Sequence, residues 1–254
     1  MDKDSFSNQF HFDPLHCNRT YREQIKSADL ISYQVQEKES DLLVETPILL
    51  FEEALASLKH CRMILEQYIA KNPLFRTTLK PYPPDDKAHP LIKEMIEVSA
   101  LCQVGPMASV AGCIAQQVGG NLLNITDEVI IENGGDLYIK SSVLRRVIIY
   151  AGSSPLSNKL YLNIDSQKTG IGVCTSSGTV GPALSFGKAD AVTVLSPSAS
   201  LADAAATAIA NVVQTKEDIE KGLNLAQQID GLLGVVIIKD DKMGMWGEIN
   251  YGLT

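Results

Sequence analysis

Asp203 and Thr207 are the two strong oxygen-bearing side chains at the centre of a run built almost wholly of alanine, Ser200-Leu201-Ala202-Asp203-Ala204-Ala205-Ala206-Thr207-Ala208-Ile209-Ala210-Asn211. Four residues apart in a helix, they stand one above the other on one face. Alanine lets another backbone or a ligand come close, and the two oxygens give it something to bind. The same residues also fit a purely local role. Ser200 and Asp203 match a capping box, in which the Ser oxygen accepts from the Asp203 amide and the carboxylate reaches back. A carboxylate in the first turn suits the positive end of the helix dipole. Thr207 can bond back to the carbonyl four residues earlier. A ligand site and a capped helix both satisfy the pattern.

Two loops carry further chemistry. Glu132-Asn133-Gly134-Gly135-Asp136 joins two apolar runs. Asn-Gly and Gly-Gly are favoured hairpin turns because they accept positive φ; a Gly turn can also bring amides close to a ligand, with Asn133 and Asp136 bonding ribose or base. Gly170 through Gly181 packs glycines and hydroxyls (Thr175, Ser176, Ser177, Thr179) after a strand. Such a segment can offer several N–H and O–H donors to phosphate oxygens, though it lacks the Gly-Lys-Ser/Thr ending of a Walker A loop. Cys174 is a nucleophile candidate or a buried, inert strand-end thiol. No His follows His89 to partner it.

The elements that must position these residues follow from periodicity and punctuation. The run 191–195, the Ser196-Pro197-Ser198 break and the Ala-rich segment read as strand, turn and helix. Leu30–Gln36 and Leu42–Glu45 read as a hairpin with its turn at 37–41. Thr46-Pro47 predicts the start of a long helix reaching Lys71, with Thr as N-cap and Pro at the first helical position. Asn72-Pro73 ends it. Helices are expected from Pro90 to Leu101, from Pro106 to Val118 and over 216–230. Strands are expected at 128–132, 136–140, 145–150, 159–164, 169–174, 234–239 and 243–249. Helices that precede and interrupt mostly antiparallel strands indicate an α+β layered fold. Pro106-Met107-Ala108-Ser109-Val110-Ala111-Gly112 resembles Pro197-Ser198-Ala199-Ser200-Leu201-Ala202-Asp203. If this is an internal quasi-duplication, two helix N-termini face a shared cleft, and Asp203 and Thr207 stand where the first copy has Gly112 and Gln116.

Thirty acidic against 22 basic residues give a formal charge of −8. That balance argues against nucleic acid or an anionic membrane as partner, and the Arg145-Arg146 pair is too small for an electrostatic footprint. No apolar run approaches the ~18 residues of a membrane span, and the polar start has no signal core. The reading is a cytoplasmic protein with an irregular arm over residues 1–27 and one α+β domain over 28–254. Five widely spaced cysteines, Cys17, Cys61, Cys102, Cys113 and Cys174, read as reduced thiols. His11, His16, Cys17, His60 and Cys61 do not by spacing alone make a metal set.

Taken together, Asn133-Gly134-Gly135-Asp136, Cys174-Thr175-Ser176-Ser177-Gly178 and Ala199 through Thr207 resemble the ApbE-like flavin transferase superfamily. The resemblance covers roughly residues 28 to 250. Gly105-Pro106-Met107-Ala108, Glu132 through Asp136 and Ser185-Phe186-Gly187-Lys188-Ala189-Asp190-Ala191 are most similar to its cytosolic, uncharacterised branch. The resemblance implies that Asp203 and Thr207 bind Mg²⁺, joined by a backbone carbonyl near Ala111. It implies that Asn133, Gly134, Gly135, Asp136, Thr175, Ser176 and Ser177 line a site for FAD. In that family the metal helps cleave the FAD pyrophosphate, and FMN passes to a Thr or Ser of a target protein. The chain departs from the family pattern in having no Lys in the helix from 106 to 118 and no His in Gly181-Pro182-Ala183-Leu184-Ser185. The alternative implied by the branch is a non-catalytic accessory protein in sulfur assimilation, with a Cys174 thiolate carrying sulfur. An unidentified protein partner goes with either reading.

Overall fold

A computed structural model describes residues 27–178 and 187–254. The arm before Ser27, with His11, His16 and Cys17, lies outside the described residues, as do Thr179 through Phe186. The chain folds as α+β, with eight antiparallel strands in the order β1-β2-β3-β4-β7-β8-β9-β10. The first half contributes β1 (Ile31–Glu37), β2 (Ser40–Thr46), β3 (Val129–Asn133) and β4 (Asp136–Lys140). The second contributes β7 (Ile171–Ser176), β8 (Ala191–Ser196), β9 (Gly234–Lys239) and β10 (Lys242–Gly247). A smaller sheet, ordered β11-β6-β5, is made of β5 (Arg145–Ile148), β6 (Leu160–Ile164) and β11 (Tyr251–Leu253).

Alternation along the strands sorts the side chains onto two faces, as the period of two requires. Val129 and Ile131 of β3 face α1 (Phe51–Lys71), α3 (Pro90–Leu101) and α4 (Val110–Leu122). Val192, Val194, Val235 and Ile237 face α5 (Ala199–Val212) and α6 (Ile219–Ala226). Ile130, Leu137, Ile139, Val173, Val236 and Ile238 point the other way, onto Leu160, Leu162 and Ile164 of the small sheet. The large sheet is thus sandwiched between a helical layer and a second sheet. Each half repeats one plan, a hairpin, a helical stretch and a second hairpin, in keeping with the quasi-duplication.

The main departures from the expected elements have local causes. Thr46 is not a helix cap: strand pairing claims it, and it closes the β1–β2 ladder opposite Ile31. Its hydroxyl donates to the Ile48 carbonyl at 2.6 Å, and α1 begins at Phe51. Pro73 ends α1 but also takes the first position of a short helix, α2 (Pro73–Thr77). The expected helix from Pro106 opens as a 3₁₀ turn, Pro106–Ser109, before α4; the one over 216–230 opens the same way at Lys216–Asp218 and ends at Ala226. β11 was not anticipated, having only Tyr-Gly-Leu to signal it. Arg145 is consumed by ion pairs to Asp29 (2.6 Å) and Glu128 (3.0 Å), while the Arg146 guanidinium lies 4.8 Å from the Tyr161 ring centre. Among the described residues no single helix is long and apolar enough to cross a membrane.

Candidate functional site

Strand register brings two of the sequence motifs to one spot. Asn133 pairs with Asp136 across a two-residue turn in which Gly134 (φ +69°) and Gly135 (φ +105°) take the positive φ it demands. Asp136 then pairs with Cys174 on β7. By alternation Asn133, Asp136, Cys174 and Ser176 share the face that carries the helices. Over them lies α5, whose alanines permit an approach found only with small residues: a Cβ on Gly172 would stand 2.3 Å from the Ala199 Cα. Asp203 and Thr207, both half-buried, lie on this helix one turn apart.

The cap of α5 is not the expected box. Ser198 is the N-cap, its hydroxyl accepting from the Leu201 amide at 3.1 Å. The Ser200 hydroxyl instead donates to Glu94 at 2.7 Å, which frees Asp203 for another helix. The Asp203 Oδ2 accepts from the Gly112 amide at 2.9 Å and so satisfies an orphan donor in the first turn of α4. In return, Gln116 of α4 accepts from the Ala199 amide of α5 at 2.7 Å and donates to Glu94 at 2.7 Å. The two helices cap each other. Gly112 and Asp203 are 91 residues apart, the offset of the internal repeat (106 to 197), so equivalent positions of the two copies meet. Gly112 must lack a side chain here, since a Cβ would fall 2.2 Å from the Ala199 carbonyl oxygen and 2.9 Å from the Asp203 Cβ.

The electrostatics are those of a site short of positive charge. Burial pushes the Asp203 carboxyl up to about 7, with the Gly112 and Ala111 amides pulling it back. Burial raises Asp136 as well, and the nearby Asp203 charge raises it further. Cys174 is fully buried, and its Sγ donates to the Ala199 carbonyl at 3.3 Å. Burial, with Asp136 and Asp203 beside it, drives its thiol well upward and keeps it protonated.

Other expected site residues are spread over both faces. Thr175 points away from α5, its hydroxyl sharing a 2.9 Å hydrogen bond with that of Thr193, while Ser176 faces the carboxylates. Ser177 follows at the strand end, half-buried. The Gly135 amide is taken by Glu132 Oε1 at 2.8 Å, and Gly134 has open space around it. Asn133 donates from Nδ2 to the Ala111 carbonyl at 3.1 Å. Sequence reasoning missed Glu94 and the partnership of Gly112 with Asp203; the 91-residue offset was the available signal for the latter. Among the described residues no group of three or more His, Cys, Asp and Glu side chains is placed to hold a metal. Cys61 faces the core, its burial lifting the thiol to about 11. The exposed His60 ring stands edge to face with that of His89, their centres 6.2 Å apart, and His89 itself caps α3.

The fold is shared with the apo form of the flavinyl transferase ApbE from Pseudomonas stutzeri, with a TM-score of 0.56, 15% identity, and coverage of 85% of this chain and 94% of that one. A variant of the flavin transferase ApbE from Vibrio cholerae superposes with a TM-score of 0.58 at 13% identity, covering 86% and 97%. In sequence, a UPF0280 protein from Methanothrix thermoacetophila is 42% identical over 202 residues, 78% of this chain and 84% of its own. Another from Methanocaldococcus jannaschii is 38% identical over 224 residues, 84% and 91% of the two chains. A family model described as AbpE bacteria matches residues 22–241, and the chain belongs to that family.

Proposed function

We propose that the chain binds a flavin or related nucleotide together with a divalent cation at the cleft between α5 and the β3–β4 turn. In its fullest form the reading is FMN transfer from FAD to a Ser or Thr hydroxyl. The observation that carries it is the meeting of Asp203 and Asp136, two carboxyls from separate motifs, under α5, where burial holds both above their ordinary range and the Asp203 charge raises Asp136 further. Such a pair lacks positive charge, and hard oxygens are the donors that Mg²⁺ prefers. Asp203 and Thr207 would hold the cation, with Asp136 and Ser176 beside it on the same face. When bound, Mg²⁺ would neutralise pyrophosphate oxygens and the charge that develops on the departing phosphate. The open backbone at Gly134 gives a flat ligand room at the edge of the cleft.

The accessory reading, with Cys174 carrying sulfur, is the weaker one. A thiol is nucleophilic as its thiolate, and Cys174 is buried beside two carboxyls that oppose ionisation. The test is incubation with FAD and Mg²⁺, water standing in for the hydroxyl acceptor, followed by chromatography for AMP and FMN. AMP that is formed by the wild type and lost in Asp203→Asn supports transfer chemistry. If FAD stays intact but binds in an Asp203-dependent way, only the binding part stands; no binding at all removes the proposal.

A further inference from the structure

Beside the nucleotide contact that the resemblance implies for Asn133, its surroundings suit it to a further task. It is the last residue of β3, buried to 8% exposure at the tip of the sheet, and its Nδ2 lies 3.1 Å from the Ala111 carbonyl oxygen. A carbonyl can only accept, so the orientation of the amide is decided: the NH₂ faces α4. The peptide it grips is the one that joins Ala111 to Gly112, whose N–H donates to Asp203 at 2.9 Å. A peptide unit is planar and stiff. Holding its oxygen therefore sets the direction of its N–H, which in turn sets the carboxylate that accepts it. The chain of contacts runs from the β3 tip through one peptide plane to Asp203. Gly112 makes it workable, because any side chain there would strike Ala199 and push the helices apart.

From this geometry we infer that Asn133 is a positioning residue for Asp203, acting through the Ala111–Gly112 peptide to orient the carboxylate toward a cation. The inference rests on the proposed cation site of Asp203 and Thr207. Groups that orient a ligand from behind are worth about 10–100-fold in metal affinity when removed. They also sharpen the preference for a small octahedral ion over Ca²⁺, which tolerates looser geometry.

The test is Mn²⁺ binding to the full chain, followed by the loss of the free-ion electron paramagnetic resonance signal, with Ca²⁺ as competitor. Asn133→Ala and Asn133→Ser, neither long enough to reach Ala111, are expected to weaken Mn²⁺ binding about 10–100-fold and to narrow the Mn²⁺ over Ca²⁺ preference. Ile139→Val, a core change on the opposite face of the sheet, is the control for stability: it lowers the melting temperature with affinity and preference unchanged. If the Asn133 variants fold and bind Mn²⁺ with wild-type affinity and preference while Asp203→Asn does not bind, the positioning role is overturned and the cation site survives. If Asp203→Asn binds like the wild type, or the wild type does not bind, the site falls and the inference with it.

Discussion

Replacing Gly112 by alanine tests the contact on which the site depends. The added methyl would stand 2.2 Å from the Ala199 carbonyl oxygen, where ordinary contact starts at 3.4 Å, and both neighbours are backbone or the root of a side chain. The helices must therefore separate by about 1 Å, an overpacking that costs about 1–3 kcal/mol. That movement also stretches the 2.9 Å bond from Gly112 to Asp203, and at a pH above about 7, where the Asp203 carboxyl is ionised, a hydrogen bond to such a charged group is worth about 1.5–3 kcal/mol. Together the loss is about 2.5–6 kcal/mol, from which alanine's helix preference over glycine returns about 0.5–1 kcal/mol; the remainder is a large part of a typical domain's stability of ~5–15 kcal/mol. Gly120 lies on the same helix, and a methyl added there would meet nothing within 4 Å, so Gly120→Ala should stabilise by about 0.5–1 kcal/mol through the helix preference alone. Urea unfolding followed by circular dichroism reads both variants as midpoint shifts at constant slope. A Gly112→Ala protein within about 1 kcal/mol of wild type, below even the smallest overpacking and hydrogen-bond losses combined, would refute the close crossing of α4 and α5.

The other expectations follow from the site's electrostatics and register. The folded Asp203 carboxyl, at about 7, lies above its ordinary 3.8, so the native state holds a proton that the unfolded chain releases. Its contribution is complete below pH 3.8 and is lost as pH rises toward and through 7. Metal-free wild-type stability should fall across that window more steeply than that of Asp203→Asn, as measured by melting temperature against pH. Ser176→Ala should weaken FAD binding while Thr175→Ala leaves it unchanged, because Thr175 bonds Thr193 on the far face; fluorescence titration distinguishes them. Cys61, Cys102, Cys113 and Cys174 are all buried, so in the native protein at about pH 8, near the ordinary thiol range, iodoacetamide should leave these four unlabelled, as read by peptide mass spectrometry. Rapid labelling of Cys174 would contradict its place under α5.

Much of the fold was legible because apolar alternation and turn residues agreed locally. Asn133-Gly134-Gly135-Asp136 specifies a hairpin by its φ requirements alone, and the structure has it at that position. The Ala-rich helix was equally plain, but its cap was not. Ser198 and Ser200 both precede the alanine run, and only the presence of Glu94, 106 residues from Ser200, decides which of them caps it. The pairing of Gly112 with Asp203 is a tertiary event between two helices, visible beforehand only through the repeat that aligns them. Thr46 shows local signals overruled from the opposite direction: a good cap before a proline was drawn into the strand ladder by Ile31. Thr175 and Ser176 look interchangeable as adjacent hydroxyls, and a strand's period of two places them on opposite faces.

In the proposed function, the cleft takes a flavin nucleotide together with a cation through Asp203. Calorimetric titration of FAD into the protein with and without Mg²⁺, repeated with Asp203→Ala, tests it most directly. Mg²⁺ should tighten FAD binding in the wild type and leave it unchanged in the variant. FAD binding that is absent in the wild type, or equally tight in both proteins with or without Mg²⁺, would contradict it.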